Sequence, residues 1–192
     1  MYNSRIIGMG HYVPENVVTN DDLSKLMDTS DQWIQERTGI HQRRWAVKGD
    51  GNSTFSMGLK AAEKAINNAK IDKDDIDFIV FATLSPDYYF PGPGVQVQEA
   101  LGIDTIGALD VRNQCSGFVY GLSVADQFIK TGMYKKILVI GSELQSQGID
   151  ISTRGRSISV IFGDGAGAAI LSREADSSKG ILSSHLHSEG KH

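Results

Sequence analysis

Cys115 is the only cysteine of the sequence and stands in the stretch RNQCSGFVYG. A predicted strand ends near Val111, and a predicted helix begins near Ser116. A side chain at such a turn projects away from the sheet, beside helix amides that can stabilise a thiolate or an oxyanion. This placement is typical of a cysteine nucleophile. Spacing alone leaves open the commoner alternative of a buried, inert cysteine.

Trp33 and Arg37 are a second group of candidate functional residues. They are four residues apart on a helix predicted to start after Ser30 and to end at Gly39, so they share one helix face. An aromatic ring beside a guanidinium suits a purine and its phosphates. A surface aromatic with a flanking charge accounts for the same spacing, and the residues alone do not decide between the two.

The stretch FGDGAGAA, residues 162–169, resembles a nucleotide-binding loop only superficially. Its glycines at 163, 165 and 167 do not fit G-x-G-x-x-G, no Lys-Ser/Thr pair follows, and the stretch precedes a predicted strand. We therefore predict a structural role, in which the glycines allow tight backbone packing near the active site. His185 and His187 alternate on another predicted strand without an acidic or cysteine cluster, which favours solvent-facing residues over a metal site.

The apolar patterning predicts an α/β domain with helices on both faces of a mixed, mainly parallel sheet. Continuous apolar runs such as DFIVFATLS and KILVIG are typical of strands buried on both faces. The predicted strands cover 5–9, 77–85, 106–111, 136–141, 166–172 and 180–186. The predicted helices begin at residue 19 or 20 and after residue 30, and cover 54–69, 94–101 and 116–130. The last of these is apolar nearly all round and is predicted to be buried.

Length and composition narrow the class of protein. The chain has 192 residues, 40% of them hydrophobic, which suits one domain with a substantial core. A formal net charge of -4 argues against nucleic acid as a partner. A lone cysteine excludes an internal disulfide and fits a reducing compartment. The sequence shows neither a signal peptide nor a membrane-spanning run, so we expect a cytoplasmic protein with no membrane partner.

Six segments, in order, resemble the β-ketoacyl-[acyl-carrier-protein] synthase III family of thiolase-fold condensing enzymes. They are IIGMGHYVPENVVTN, DTSDQWIQERTGI, FATLSPDYYFPGPGVQVQEALG, DVRNQCSGFVYGLSVADQFIKTG, STRG and IFGDGAGAAIL. Each is weak alone, but all six in the family's order are highly specific. The resemblance implies the N-terminal half of a thiolase-like fold over 1–172. It also implies that 173–192 form a connection and a first strand toward a C-terminal half.

The resemblance also implies roles for particular residues. Cys115 matches the cysteine that takes the acyl group from acyl-CoA as a thioester, and Phe90 matches a residue that lines the acyl pocket across a homodimer interface. The CoA site is implied to contain Thr29, Trp33, Arg37 and Arg154. Malonyl-acyl carrier protein is the implied second substrate, and its decarboxylative condensation with the acyl group is implied to initiate fatty acid synthesis. Neither a metal nor a redox cofactor is implied. For Phe90 an alternative is that the run of Tyr88, Tyr89 and Phe90 closes the sheet's own edge.

The sequence differs from the family because it lacks two of the family's catalytic residues. The family's catalytic histidine and asparagine belong to the C-terminal half, which is not in this sequence, so we expect the chain alone to be inactive. We expect these residues to be one part of a longer protein or one chain of a split enzyme. Related hydroxymethylglutaryl-CoA synthases carry an acidic general acid/base where this sequence has Leu84, which argues against that branch. Two alternatives stay open: a condensing enzyme or acyltransferase of specialised metabolism, and a non-catalytic scaffold subunit.

Overall fold

The computed structural model describes residues 2–191, in which a five-stranded mixed sheet is the central layer. Its strands are β1 (Asn3–Tyr12), β4 (Phe78–Ala82), β5 (Gly107–Val111), β6 (Lys136–Glu143) and β7 (Gly165–Glu174), in the spatial order β1-β7-β6-β4-β5. Two short strands, β2 (Val17–Thr19) and β3 (Gln42–Arg44), form a separate antiparallel ribbon that the sequence analysis did not predict.

The strand directions confirm a mixed sheet, but parallel pairs do not predominate. Strand β4 is parallel to β5 and β6, whereas β7 runs antiparallel to both β6 and β1. A parallel connection needs a long crossover, usually a helix. Between β6 and β7 the chain forms only a 3-10 turn (Thr153–Gly155) and the four-residue helix α6 (Arg156–Ser159), so β7 returns antiparallel.

Helices cover both faces of the sheet, as predicted. Helices α3 (Thr54–Ala69) and α4 (Pro93–Leu101) pack on one face, and α5 (Gly117–Lys130) packs on the other. Strand β4 is buried at every position, with Ile79 and Phe81 facing α3 and Phe78 and Val80 facing α5. The continuous apolar runs are therefore explained by a sheet that has a core on each side.

Two small helices follow the predicted boundaries closely. Helix α1 (Asn20–Ser24) has Thr19 as its N-cap, and α2 (Asp31–Thr38) is capped by the Ser30 side chain. Gly39 ends α2 in the left-handed region, at φ 69°, where a side chain would be strained. These helices enclose a third core cluster of Leu23, Met27, Ile34 and Val160, on which Trp33 packs.

Two predictions about buried elements are wrong for the described residues. No strand forms over 180–186; the Ile181 N–H instead makes a single bond to the Ser4 carbonyl, at 2.8 Å, and its own carbonyl accepts from Lys130. A strand needs a ladder of such bonds with a neighbour. Helix α5 is buried on one face only, because Ala125 and Ile129 meet the sheet while Val119 is 53% exposed.

Candidate active site

Cys115 lies at the junction between sheet and helix. The chain leaves β5 at Val111, forms a 3-10 turn over Gln114–Ser116 and enters α5 at Gly117. The thiol is exposed, so it does not fill the core. Gln114 has a φ of 43°, in the left-handed region, a strained conformation that tends to occur at functional sites.

The N-cap side chain of α5 does not bond to the amides of the helix's first turn, which follow Cys115 in the sequence. Ser116, the N-cap, makes no side-chain cap hydrogen bond to α5 among residues 2–191; its hydroxyl donates to the Asn113 carbonyl instead. The amides at the start of a helix carry a partial positive charge, which favours an anion beside them. The local structure therefore suits a thiolate or an oxyanion at Cys115.

A cavity of about 390 Å³ opens beside Cys115. Gly141 of β6 and Gly167 of β7 are directly opposed in the sheet and both line this cavity. A Cβ at Gly167 would meet no heavy atom of the described chain within 4 Å, so it would project into open space. Two of the three glycines of FGDGAGAA, Gly165 and Gly167, lie on strand β7, and Gly167 keeps the sheet surface bare next to the thiol, which agrees with a structural role and not with phosphate binding.

Glu143 connects this cavity to the loop that follows β4. Its carboxylate lines the cavity and accepts hydrogen bonds from the Leu84 N–H, at 2.7 Å, and from the Ser85 hydroxyl, at 2.5 Å. Thr83 and Gln145 donate to the same carboxylate, at 3.4 and 3.2 Å. Sequence reasoning missed this residue because three of its partners, Thr83, Leu84 and Ser85, are about sixty positions away along the chain. Leu84 contributes its backbone N–H here.

We expect Glu143→Gln to lower the free energy of unfolding by about 1–3 kcal/mol. The groups around the carboxylate all donate to it, so a glutamine NH₂ would face either the Leu84 N–H or the Gln145 NH₂ and two hydroxyls that would have to become acceptors. Urea denaturation monitored by circular dichroism measures the change. Glu63→Gln, on the exposed face of α3, is the matched control and should leave the midpoint unchanged. Equal urea midpoints for both variants would show that the hydrogen bonds to Glu143 do not stabilise the fold.

The loop after β4 presents an exposed aromatic tip. Tyr88, Tyr89 and Phe90 are 64%, 93% and 85% exposed, so they do not close the sheet's own edge. Carboxylates fix the loop on either side of this tip. Asp87 accepts the first two N–H groups of α3, at 3.0 and 2.7 Å, and Asp110 of β5 accepts the Gly94 N–H, at 2.9 Å. Burial raises the pKa of Asp110.

Of the predicted CoA residues, Arg37 lies over the Trp33 ring, at the side of the small helices. The Arg37 guanidinium stacks 4.3 Å from the ring centroid, as their spacing predicts. The Thr29 hydroxyl oxygen is buried and has no hydrogen-bond partner among residues 2–191. Such an unpaired buried group is costly unless a partner outside these residues supplies the hydrogen bond.

Arg154 does not lie over Trp33. Its side chain is 89% exposed and pairs with Asp150, with both nitrogen–oxygen distances at 2.8 Å. Hydrogen bonds from the Ser152 hydroxyl and N–H, together with Arg154, lower the pKa of Asp150 to about 2. Asp150 is therefore ionised at neutral pH and holds Arg154. The guanidinium that does lie over Trp33 belongs to Arg156, at 4.7 Å, which the sequence analysis did not single out.

The histidines predicted to face solvent do not form a metal site in the described residues. His185 and His187 are exposed, in a segment without regular secondary structure. Residues 2–191 contain no group of three or more histidine, cysteine, aspartate or glutamate side chains arranged to hold a metal ion. In the same residues, no helix combines the length and the apolar character needed to cross a bilayer.

Comparison with known proteins gives consistent matches. A family model described as 3-oxoacyl-[acyl-carrier-protein (ACP)] synthase III matches residues 109–190. A β-ketoacyl-[acyl-carrier-protein] synthase III of Ehrlichia canis is 47% identical over 190 residues, covering 99% of this chain and 58% of that protein. The crystal structure of 3-oxoacyl-[acyl-carrier-protein] synthase III from Aquifex aeolicus superposes with a TM-score of 0.86 at 44% identity, covering 91% of this chain and 55% of that one.

A further solved structure belongs to a different metabolic setting. The priming β-ketosynthase from the R1128 polyketide biosynthetic pathway superposes with a TM-score of 0.83 at 34% identity, covering 88% of this chain and 50% of that one. In these comparisons the present chain spans between 50% and 58% of the relative's length.

These superpositions assign the sheet and its helix layers to the thiolase fold, and the class of protein is that of the thiolase-fold condensing enzymes. Within this class the chain belongs to the β-ketoacyl-[acyl-carrier-protein] synthase III family, of whose members it represents an N-terminal portion. The family and the fold predicted from the six motifs are thereby confirmed.

Proposed function

We propose that this chain is the nucleophile-bearing half of a β-ketoacyl-[acyl-carrier-protein] synthase III. The observation that carries the proposal is the exposed thiol of Cys115 at the N-terminus of α5, beside a cavity whose sheet surface is cleared by Gly141 and Gly167. The condensing enzyme is completed by a C-terminal half, in the same polypeptide or a separate one, with 173–192 leading toward it. We call the two halves together the assembled enzyme.

The first step is transfer of an acyl group to Cys115. The Sγ thiolate attacks the thioester carbonyl carbon of acyl-CoA, and the oxyanion that forms faces the N-terminal amides of α5. The bond from that carbon to the CoA sulfur then breaks, and CoA leaves as a thiolate that takes up a proton. The product is an acyl thioester on Cys115.

The second step uses malonyl-acyl carrier protein. Loss of CO₂ from the malonyl group leaves its electron pair on the neighbouring carbon, which attacks the acyl carbonyl on Cys115. The carbon–sulfur bond breaks, the Cys115 thiolate is regenerated and a β-ketoacyl carrier protein results. In the family, a histidine and an asparagine of the C-terminal half serve this step, so the chain alone should not perform it. Neither step changes the oxidation state of the protein, and neither calls for a redox cofactor or a metal.

The proposed CoA site consists of Thr29, Trp33, Arg37 and Arg154. The Arg37–Trp33 stack and the unpaired Thr29 hydroxyl support it, since a purine needs a flat face and phosphates need cations and donors. Arg154 reaches this site only if it releases Asp150.

Phe90 is proposed to reach into the acyl pocket of a second copy. Its exposure supports this role, because an apolar aromatic tip held by anchored backbone is costly to leave in water. Strand β5, next to the tip, is an edge of the sheet and leaves backbone groups available to a partner. The proposed assembly is a homodimer located in the cytoplasm.

A condensing enzyme of specialised metabolism is the second candidate. It would use the same cysteine with another acceptor, and the likeness to the R1128 priming β-ketosynthase favours it. The cavity beside Cys115 and the Trp33 site serve both candidates equally.

A condensation assay tests the function. The assembled enzyme is incubated with acyl-CoA and either malonyl-acyl carrier protein or alternative acceptors, and the released CoA, CO₂ and β-keto product are quantified. We expect the three in equal amounts with malonyl-acyl carrier protein, and none from the chain alone. Product with another acceptor only would favour specialised metabolism. Failure to release CoA with any acceptor, together with a thiol that iodoacetamide does not label, would instead indicate a scaffold.

A further inference from the structure

Glu143 ends strand β6 at the edge of the sheet where the parallel strands β6, β4 and β5 all end. These strands lie in the order β6-β4-β5, so the segment that follows β4 runs between Glu143 and the strand that leads to Cys115. We call residues 83–85 the root segment, because the loop with the aromatic tip starts there. Ligands commonly bind just outside the carboxyl ends of parallel strands, so the root segment lies where an acyl group would be held.

The root segment is held from both sides. On the β6 side, the Glu143 carboxylate accepts the Leu84 N–H, at 2.7 Å, and the Ser85 hydroxyl, at 2.5 Å. On the β5 side, the Thr83 N–H donates to the Val111 carbonyl, at 3.1 Å. Hydrogen bonds to a carboxylate are shorter and stronger than bonds between neutral groups, so Glu143 provides the stronger of the two restraints.

The root segment stands between two cavities. Ala82, immediately before it, lines the cavity beside Cys115. Thr83 and Leu84 line a second cavity, of about 320 Å³, which extends to Tyr88 of the aromatic tip. Among the described residues, the two cavities have no lining residue in common. The root segment therefore forms a wall between the cavity at the thiol and the cavity beyond it.

We propose that Glu143 is a positioning residue that limits the length of the acyl group accepted by Cys115. The inference rests on the proposed function, because it concerns the acyl group carried by that thiol. By holding the root segment in place, Glu143 keeps the first cavity closed toward the second, so a long chain meets a fixed wall. The Glu143 carboxylate also lines the first cavity, where an apolar chain would cover a charged group at a cost in free energy. Both effects favour short acyl groups.

Comparison of two acyl donors tests the proposal in the assembled enzyme. Acetyl-CoA and hexanoyl-CoA carry the same nucleotide and differ only in acyl length, and kcat/KM is measured for each with malonyl-acyl carrier protein. For Glu143→Gln we expect the ratio of the hexanoyl to the acetyl kcat/KM to rise about tenfold, the low end of the discrimination that one methylene group gives in a hydrophobic pocket. Ser85→Ala removes one of the two bonds from the root segment to Glu143 and should raise the same ratio about threefold.

Asp126→Asn is the matched control for a loss of stability alone. Asp126 is fully buried and accepts hydrogen bonds from Ser4, at 2.7 Å, and Lys130, at 2.9 Å, but it does not line either cavity. Its replacement should therefore destabilise the fold and leave the ratio unchanged.

The outcomes are distinct. An unchanged or lowered ratio in a folded Glu143→Gln or Ser85→Ala enzyme, or an equal rise in Asp126→Asn, would overturn the role of Glu143. If Glu143→Gln does not fold, Ser85→Ala decides the question alone. A wild-type enzyme that accepts neither acyl group on Cys115 would overturn the proposed function, and this inference with it.

Discussion

Replacing Cys115 with alanine will lower the condensation rate of the assembled enzyme by at least about 10³-fold, because it removes the atom that carries the acyl group. Among the described residues no second cysteine can substitute, and the thiol is exposed beside an open cavity. Cys115→Ser is the matched variant, since it keeps the size and the turn but offers a much weaker nucleophile. Both variants should retain the affinity for CoA, because Trp33 and Arg37 are untouched.

Rate measurements with saturating acyl-CoA and malonyl-acyl carrier protein check this expectation. A parallel CoA-binding measurement shows whether each variant is still folded at the Trp33 site. Activity within tenfold of the wild type in Cys115→Ala, with binding intact, would contradict nucleophilic catalysis by this residue. It would leave the fold and the family unaffected.

Replacing Gly10 with alanine will destabilise the protein by about 3 kcal/mol, the upper end of the usual cost of overpacking, because β1 packs directly on the backbone of α3. A Cβ at Gly10 would lie 2.2 Å from the Ala61 carbonyl oxygen and 2.5 Å from the Ala65 nitrogen. Both are helix backbone atoms, so the whole helix must move. Because α3 also covers β6 and β7, separating it from β1 would open the larger of the two cores that flank the sheet.

Gly167→Ala is the matched control for Gly10→Ala. Both glycines lie on neighbouring strands, but a Cβ at Gly167 meets no heavy atom of the described residues within 4 Å. We therefore expect its stability to be unchanged, or raised by up to about 1 kcal/mol through the lower entropy of the unfolded chain. Urea denaturation measures both variants. A loss of stability of similar size in each variant would mean that the close approach of β1 to α3 is not the cause of the effect of Gly10→Ala.

The sheet and its main helices could be predicted because their signals are local. Runs such as Phe78–Ala82 are apolar at every position, which only a strand with a core on both faces explains. The caps at Thr19, Ser30 and Gly39 likewise mark α1 and α2 within the sequence. Strand direction is not a local property. The antiparallel return of β7 depends on the path taken from β6, which the pattern of apolar residues does not encode.

The same distinction applies to the site. Cys115 was found because a strand, a turn and a helix are consecutive there, although its exposure became evident only in the fold. Glu143 and Arg156 were missed because their partners are distant in sequence: Glu143 meets the loop at Leu84 and Ser85, and Arg156 meets Trp33. A charged residue gives no sign in the sequence of which remote donor or ring it will contact.

The strand predicted over 180–186 shows the limit of periodicity. Alternating residues can form a strand only where a neighbour supplies a ladder of hydrogen bonds, and this segment is bonded to the Ser4 carbonyl and to Lys130 alone among its described backbone contacts.

Intact-mass spectrometry of the assembled enzyme after incubation with acyl-CoA alone tests whether Cys115 carries the acyl group. We expect one added acyl mass per chain, located by peptide mapping to Cys115 and absent from Cys115→Ser. Hydroxylamine, which cleaves thioesters, should remove it. An unmodified wild-type protein, or the same adduct in Cys115→Ser, would show that Cys115 is not the acyl carrier.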